Sequence, residues 1–300
     1  MRYAAYQLQI DSEVSLGQQL PPGDEADDVP PDVTIRCGPL DDPEAEGAMR
    51  AGPFVRARPG RLWIEVRGVA GFQVSDGREI RVDAVPGVDP ASLRLFLLGS
   101  PFGALLAQRG HLVLHGNSVR IGDACMVCVG PSGAGKSTLA AAFMQRGHEV
   151  LADDVVPVDG QGRALAGYPR IKLWQDAAER LHVDTAGLEA VRPQLRKFHV
   201  PTPGHFVGGA LPVRWIYVLD RHNQPDVVVS PIAGVDRFLP LQENTYRVRF
   251  LESMGLLRDH VRQVGALAGK IRMAHVRRPQ SGFALDALVD GLLADMAAHP

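Results

Sequence analysis

Cysteine is scarce in this chain, with three residues in 300. An odd and small number of cysteines argues against the disulfide framework of small secreted domains. No run approaches the roughly 20 consecutive apolar residues that a transmembrane helix needs. Residues 1–10 mix polar and apolar side chains and lack the apolar core of a secretory leader. We therefore expect a cytoplasmic protein that does not insert into a membrane.

An excess of charge of one sign is also missing. The chain has 32 Lys and Arg against 34 Asp and Glu, for a formal net charge of −2. This balance does not favour a nucleic-acid partner. Because 45% of the residues are hydrophobic and only 22% are charged, the chain is able to bury a core, which excludes a wholly disordered protein or a fibre.

One segment departs from this balance. Residues 21–47 contain nine acidic residues and six prolines but a single base, Arg36. Proline and like charge both oppose compact packing, so this segment is predicted to be a solvated loop.

The first third of the chain has the pattern of β-structure. Apolar residues alternate with polar ones over 62–66 and on both sides of Asp76-Gly77, a dipeptide typical of tight hairpin turns. The period then changes, because Asp89-Pro90 has the form of a helix N-terminus and an apolar stripe follows it. We predict a small, mostly β domain over 1–90, containing the acidic loop 21–47.

The remainder alternates strands with helices, which predicts an α/β domain over 91–300. Two short helices broken near 99–101 are expected at its start, and Arg277-Arg278 is expected in a loop. Strands are predicted at 111–118, 124–129, 215–219 and 270–276 and from 150, and helices at 136–146, 255–267 and 283–296.

A glycine-rich motif follows the strand at 124–129. Residues 130–137, GPSGAGKS, fit G-x-x-x-x-G-K-[ST] at every fixed position, between a strand and a helix. In such a loop, backbone N–H groups surround phosphate oxygens, the lysine reaches the β- and γ-phosphates, and the hydroxyl after it binds Mg²⁺. The motif predicts ATP and Mg²⁺ as cofactors. The expected nucleotide-binding residues are Gly130, Ser132, Gly133, Ala134, Gly135, Lys136, Ser137 and Thr138.

Two carboxylates, Asp153 and Asp154, follow on the next predicted strand. They are expected at the end of that strand, facing the γ-phosphate and its metal ion. Adjacent strand residues point to opposite faces, so two identical roles are not expected. We assign Asp154 as the base that takes the acceptor's hydroxyl proton, and Asp153, with Ser137, as a Mg²⁺ ligand.

Several other side chains are candidates for the site. His115 lies on the strand that leads towards the motif, although a lone strand histidine is more often structural. Arg170, Lys172 and Lys197 are candidates for neutralising phosphate charge in the transition state. His111 and His115 lack the third ligand that a zinc site would need.

Cys125 and Cys128 have the spacing of a redox or zinc motif. On a strand, however, residues three apart point to opposite faces, so these two thiols cannot chelate one ion together. Both are predicted to be small buried side chains.

Taken together, Leu114-His115-Gly116, the 130–137 motif and Ala152-Asp153-Asp154 resemble the catalytic domain of bacterial HPr kinase/phosphorylase. The resemblance covers about residues 109–157. It implies a P-loop kinase fold related to that of ATP-dependent phosphoenolpyruvate carboxykinase, and a reaction that phosphorylates a protein serine. It further implies that His115, Lys136 and Asp154 are catalytic.

The chain also departs from that family. A second glycine-rich signature carrying a metal-binding glutamate is replaced by 167–174, GYPRIKLW, which has no glutamate. This stretch and the β-rich first third look more like the HPr-kinase-like proteins of lasso-peptide biosynthesis, which resemble kinases for the C-terminal serine of a precursor peptide. The expected partner is therefore a peptide or small protein bearing a serine. A regulatory HPr-type kinase/phosphorylase and a non-catalytic nucleotide-binding module stay open as alternatives, as does a homo-oligomer.

Overall fold

The computed structural model describes residues 1–17, 20–23, 30–192, 195–280 and 285–300. It is a mixed α/β structure with several sheets, and its first third is rich in strands.

The first sheet is built from the N-terminal part of the chain. Within the described residues its strands lie in the order β1-β2-β3-β8-β7-β6-β5-β4. Their bounds are β1 (Arg2–Ala5), β2 (Leu8–Ser12), β3 (Val33–Cys37), β4 (Met49–Gly52), β5 (Val55–Arg58), β6 (Arg61–Val66), β7 (Ala70–Ser75) and β8 (Glu79–Ala84). Neighbouring strands are antiparallel except that β3 runs parallel to both β2 and β8.

The predicted hairpin at Asp76-Gly77 is confirmed. Strands β7 and β8 pair in antiparallel register on either side of it. Asp76 and Gly77 have φ angles of 52° and 65°, the left-handed conformation that the tight turn of a hairpin requires.

The prediction of a solvated loop throughout 21–47 is wrong for part of that segment. Strand β3 lies inside it, with Val33 and Ile35 completely buried in the first sheet. Asp41 forms ion pairs with Arg61 and Arg81, so the segment's charge is partly neutralised by bases of the sheet. The alternation of Val33, Ile35 and Cys37 is the strand signal that the prolines and acids around it obscured. Residues 24–29, the most acidic part, lie outside the described residues.

Two short helices follow, α1 (Pro90–Leu97) and α2 (Ser100–Gln108). Asp89 caps the first as predicted, since its carboxylate accepts a hydrogen bond from the Ser92 backbone N–H at 2.8 Å. Together the two helices are apolar and long enough to resemble a membrane span, but 61% of the stretch is buried inside the structure. Each helix alone is too short to cross a bilayer, because an α-helix rises about 1.5 Å per residue.

The rest of the chain alternates strands and helices. The strands are β9 (Leu112–Leu114), β10 (Gly116–Ile121), β11 (Ala124–Val129), β12 (Val150–Asp153), β13 (Val156–Val158), β14 (Arg163–Leu165), β15 (Arg170–Trp174), β16 (Lys197–Pro201), β17 (Ala210–His222), β18 (Val228–Ile232) and β19 (Arg272–Pro279). The helices are α3 (Lys136–Gln145), α4 (Gln175–Arg180), α5 (Phe238–Glu243), α6 (Arg249–Ser253), α7 (Leu257–Ala268) and α8 (Leu285–Ala298).

The second sheet determines where the glycine-rich segment lies. Strand β11 lies between β10 and β17, and β17 lies between β11 and β19. Because β11, β17 and β19 are parallel, their carboxyl ends meet at one edge of the sheet. Strands β15 and β16 form a separate antiparallel pair beside that edge.

Two expectations for this part are corrected. The strand predicted over 111–118 is interrupted at His115, whose backbone N–H donates to the Asn244 carbonyl at 2.8 Å instead of continuing the ladder. Arg277 and Arg278 do not lie in a loop but belong to strand β19.

The prediction for the cysteine pair is confirmed. Cys125 and Cys128 are both completely buried on β11 and belong to hydrophobic clusters on opposite faces of the sheet. Burial raises the pKa of each thiol to about 12, so neither is a reactive thiolate near neutral pH.

Candidate functional site

The glycine-rich segment 130–137 connects β11 to α3 and adopts a tight loop. Gly130, Gly133 and Gly135 have φ angles of 139°, 79° and 106°, which residues with a β-carbon rarely adopt. A β-carbon at Gly130 would lie 2.3 Å from the Leu219 carbonyl oxygen, so this position is also closed by packing. Helix α3 begins at Lys136, which directs the N–H groups of its first turn towards the loop.

Lys136 lies in the base of this loop with 9% of its surface exposed. Its ammonium donates hydrogen bonds to the carbonyl oxygens of Gly130 at 2.8 Å and Pro131 at 3.1 Å. Burial lowers the pKa of Lys136 from its usual value, against the opposing effect of nearby acids. The ammonium is thus positioned within the loop by neutral carbonyl groups rather than by an ion pair.

Asp153 ends β12 directly opposite the start of α3. Its carboxylate accepts a hydrogen bond from the Ser137 hydroxyl at 2.9 Å and another from the Lys172 backbone N–H at 2.8 Å. Burial raises the pKa of Asp153, and the neighbouring Asp154 carboxylate raises it further. The structure therefore brings together the two residues that were predicted as metal ligands.

Asp154 follows in an unusual backbone conformation, with a φ of 76°. Its carboxylate accepts a hydrogen bond from the Lys172 ammonium at 2.6 Å. Burial alone would raise the pKa of Asp154, but the positive charge and the hydrogen bond of Lys172 lower it overall. Asp154 is consequently an ionised carboxylate at neutral pH.

His115 lies on the other side of Asp154. Its Nδ1 is 3.0 Å from the Asp154 carbonyl oxygen and 3.4 Å from its carboxylate oxygen Oδ1. Burial lowers the pKa of His115, which favours the neutral ring. Because a carbonyl oxygen can only accept, the contact at 3.0 Å assigns the ring proton to Nδ1. The imidazole also lies against the ring of Tyr246, with centroids 5.6 Å apart.

A cavity of about 340 Å³ opens over the loop. Six basic side chains line it against three acidic ones, so it favours an anionic ligand. The bases are Lys136, Lys172, Arg180, Lys197, Arg221 and Arg278, and the acids are Asp153, Asp154 and Asp176.

A second cavity, of about 490 Å³, lies on the other side of Asp154. His115, Ser132 and Asp154 line both cavities. The remaining wall of the second cavity includes Phe96 and Tyr246 as well as polar groups of residues 243–247. The two cavities thus adjoin at these three residues, of which Asp154 is the only acid.

Most of the residues predicted from the sequence gather here, but they differ in position. Ser132, Gly133, Gly135, Lys136, Ser137 and Thr138 line the first cavity, and Lys172 and Lys197 join them, whereas Gly130 lines the second. Ala134 is buried and lines neither. Arg170 also lines neither, because its guanidinium packs on the ring of Tyr168, 4.5 Å from the centroid.

Sequence reasoning missed several members of the site. Arg180, Arg221 and Arg278 line the first cavity, and Tyr246 and Arg247 line the second. They come from distant parts of the chain, and no local motif marks them. The pairing of β17 with β19 is the only signal that would bring Arg221 and Arg278 together.

The residues present fit a magnesium ion only in combination with a phosphorylated ligand. Among the described residues, no group of three or more His, Cys, Asp and Glu side chains could hold a metal by itself. Asp153 and Ser137 supply two oxygen ligands, and Mg²⁺ typically takes one or two carboxylates and completes its shell with phosphate and water.

Comparison with known proteins gives little further information. No protein-family model matches the chain, and no curated protein matches it. Among solved structures, the chain is similar to the HPr(Ser) kinase/phosphatase from Coxiella burnetii, with a TM-score of 0.28 and 14% identity, over 62% of this chain and 90% of that one. This is a distant structural relationship, and it identifies neither the substrate nor the catalytic residues of this chain.

Proposed function

We propose that this protein is a kinase that uses Mg²⁺ and ATP to phosphorylate a serine hydroxyl of a peptide or small protein. The observation that carries the proposal is the position of Asp154, which is ionised and lies where a cavity over a glycine-rich loop meets a second cavity. A phosphoryl transferase needs this arrangement, because donor and acceptor must approach the same point from opposite sides.

The first cavity is suited to the triphosphate of ATP. Its loop combines left-handed glycines with the start of α3, which together direct backbone N–H groups at an anion. The Lys136 ammonium is bonded to two neutral carbonyl oxygens, which it could exchange for the negatively charged β- and γ-phosphates. The excess of bases around the cavity stabilises the remaining negative charge.

Ser137 and Asp153 would hold the magnesium ion. The ion, when bound, neutralises charge on the phosphate oxygens. The Lys172 backbone N–H fixes one oxygen of Asp153 at 2.8 Å, which orients the carboxylate towards Ser137.

Asp154 would accept the proton of the attacking hydroxyl. Its carboxylate is held between Lys172 and His115 and is ionised at neutral pH, so it can accept a hydrogen bond from the acceptor. Lys172 lies close enough to Asp154 to stabilise the charge that develops between donor and acceptor.

The acceptor would occupy the second cavity. Phe96 and Tyr246 offer apolar surface to a peptide, and the same wall carries one positive side chain, Arg247, and one negative one, Glu243. A guanidinium pairs well with a carboxylate, so this wall supports a serine with its own free carboxyl group, as at the end of a chain. The motif resemblance to the kinases of lasso-peptide biosynthesis points to the same acceptor, the C-terminal serine of a precursor peptide.

The test is transfer of labelled γ-phosphate from ATP to short peptides that end in serine, with the C-terminus either free or amidated. We expect the free peptide to be phosphorylated. Asp154→Asn should lower turnover by about 10²- to 10⁴-fold, the usual contribution of a general base, with little change in Mg·ATP affinity. Asp123→Asn, which changes an exposed carboxylate in the turn before β11, at the end of that strand away from the loop, is the matched control.

Other outcomes would select a different function. Removal of phosphate from the phosphopeptide by inorganic phosphate would favour a regulatory kinase/phosphorylase. Tight binding of Mg·ATP without transfer to any serine peptide, and with no effect of Asp154→Asn, would favour a non-catalytic nucleotide-binding module.

A further inference from the structure

Two arginines from distant parts of the chain meet beside the glycine-rich loop. Arg221 lies near the end of β17 and Arg278 near the end of β19, and the two are direct partners in the parallel register of these strands. Since β11 runs parallel to β17 and leads into the loop, both arginines extend from the edge of the sheet on which the loop lies.

Both guanidinium groups bond to backbone carbonyls of the loop. Arg278 donates from Nε at 2.9 Å and from Nη2 at 2.7 Å to the single carbonyl oxygen of Ala134. Arg221 donates from Nη2 to the carbonyl oxygen of Gly133 at 2.5 Å. Arg278 is 8% exposed, whereas the bond made by Arg221 lies at the surface.

These bonds are made to carbonyl groups of the loop and not to the N–H groups that would contact a phosphate. In a loop whose N–H groups turn inward to surround an anion, the carbonyl groups turn outward and need donors of their own. The carbonyl groups of Gly133 and Ala134, which follow one another in the loop, accept hydrogen bonds from the two arginines.

The glycines of the loop leave room for this arrangement. A β-carbon at Gly133 would lie 3.1 Å from Arg221 Nη2, and one at Gly135 would lie 3.1 Å from Arg278 Nη2. Glycine at these two positions therefore leaves space for the arginine side chains and also allows the positive φ angles of the loop.

The pair is electrostatically unfavourable without an anion. Burial lowers the pKa of Arg278, and the like charges of Arg221 and Arg180 lower it further. All three arginines line the first cavity. Placing three positive charges close together costs free energy when no anion is bound, and a bound polyphosphate offsets that repulsion.

We propose that Arg278 is a positioning residue that holds the Gly133–Gly135 backbone in its phosphate-binding conformation, and that Arg221 supports the same backbone by its exposed hydrogen bond to the Gly133 carbonyl. This inference rests on the proposed binding of nucleotide phosphates. The proposal adds two residues from outside the 130–137 motif to the phosphate site, and the two bind the loop in different ways. Arg278 acts through two donors of one rigid guanidinium that converge on a single oxygen, a geometry that lysine lacks, whereas Arg221 acts through one donor, which lysine can replace.

The experiment measures the affinity of the full chain for Mg·ATP and for inorganic tripolyphosphate by titration calorimetry. We expect Arg278→Gln and Arg278→Lys each to weaken the affinity for both ligands by about tenfold to a hundredfold, which is the effect expected for the loss of charged hydrogen bonds. Arg221→Gln should weaken them by about threefold to tenfold, and Arg221→Lys should bind nearly as the wild type does.

Two control variants change arginines that do not touch the loop. Arg277→Gln alters an exposed residue that is next to Arg278 in the sequence but lies outside the cavity. Arg214→Gln alters an arginine towards the other end of β17. Both should bind the two ligands with wild-type affinity. Thermal melting of each variant without ligand separates a loss of folding from a loss of binding.

Several results would overturn the inference. Wild-type affinity in Arg278→Gln would remove the positioning role. Full rescue by Arg278→Lys would show that charge alone suffices. If Arg278→Gln does not fold, Arg278→Lys and Arg221→Gln decide, and unchanged binding in both is a refutation. If the wild-type protein binds neither ligand, the proposed function itself fails, which the wild-type titration alone reveals.

Discussion

At the scale of single residues, Asp154 is the most constrained member of the site. Its φ of 76° lies in the left-handed region, which costs a residue with a β-carbon about 1–2 kcal/mol. Two contacts hold it there: the His115 imidazole on its carbonyl and the Lys172 ammonium on its carboxylate. Strain of this kind persists where surrounding groups determine the conformation, and it is concentrated at functional sites.

Replacement of His115 tests whether this support matters for turnover. His115→Ala removes the donor to the Asp154 carbonyl, so we expect turnover to fall more than tenfold while the KM for ATP changes little. His115→Asn should recover part of the loss, because an amide N–H can take the place of Nδ1–H.

The measurement is steady-state phosphotransfer together with a thermal melting curve for each variant. A variant that loses stability but retains full turnover in its folded fraction would show that His115 is structural only. Equal turnover in the alanine and asparagine variants would contradict the role of the hydrogen bond.

At the residue scale, the signals that the sequence offers are local ones. The loop residues and the pair Asp153 and Asp154 are marked by short motifs, because phosphate binding needs glycine, lysine and a hydroxyl at fixed spacing. Lys172 was one of three candidate bases, and nothing local distinguished it from Arg170. In the structure Lys172 bonds to Asp154 and Arg170 packs on Tyr168, contacts that depend on where β15 lies in the tertiary structure and not on any local pattern.

At the scale of elements, helix α8 is bonded to the sheet edge opposite the loop by a partly buried polar cluster. Arg272 of β19 donates to both carboxylate oxygens of Asp295, at 2.9 and 2.5 Å. The Tyr217 hydroxyl of β17 donates to the same carboxylate at 2.8 Å. The cluster therefore ties α8 to the two strands whose other ends present Arg221 and Arg278.

The cluster makes stability depend on pH. The hydrogen bond from Arg272 lowers the pKa of Asp295 more than burial raises it, and Tyr217 lowers it further. Because the folded pKa is below the unfolded value of about 3.9, the contribution is complete above that value and is lost as pH falls through the folded pKa. We expect Asp295→Asn to reduce the free energy of unfolding by about 2 kcal/mol at pH 7 and by less at pH 3.

Chemical denaturation at the two pH values measures this difference. Asp290→Asn on the same helix is the matched control, since its ion pair with Arg146 is exposed and should contribute little. A loss for Asp295→Asn that is the same at both pH values would contradict the ion-pair account.

Elements with a clear period were predictable, and irregular ones were not. The alternation around Asp76-Gly77 and the capped start at Asp89 appear in the structure as expected. The interruption at His115 depends on a hydrogen bond to Asn244, which no local pattern encodes. Strand β3 was hidden because prolines and acids on both sides dominate the composition of its segment.

At the scale of the whole molecule, the first sheet is packed against the region that carries the site. The turn between β1 and β2 places Tyr6 against Phe102 and Tyr168, with centroids 5.6 and 6.0 Å away. The Tyr6 backbone N–H also donates to the Ala166 carbonyl at 2.8 Å. The division into domains at residue 90 stays a prediction, and the hydrophobic cluster of the first sheet continues into α1 and α2.

The central claim, that the 130–137 loop binds the phosphates of ATP, is tested most directly by titrating Mg·ATP into the wild-type protein and into Lys136→Ala. The variant removes the ammonium, whose only described bonds are to the Gly130 and Pro131 carbonyls, so the fold should be retained. The account predicts saturable binding to the wild type and affinity at least about tenfold weaker in the variant, as for loss of a charged contact. Equal affinity in the two proteins, or no binding to a folded wild type, would contradict it.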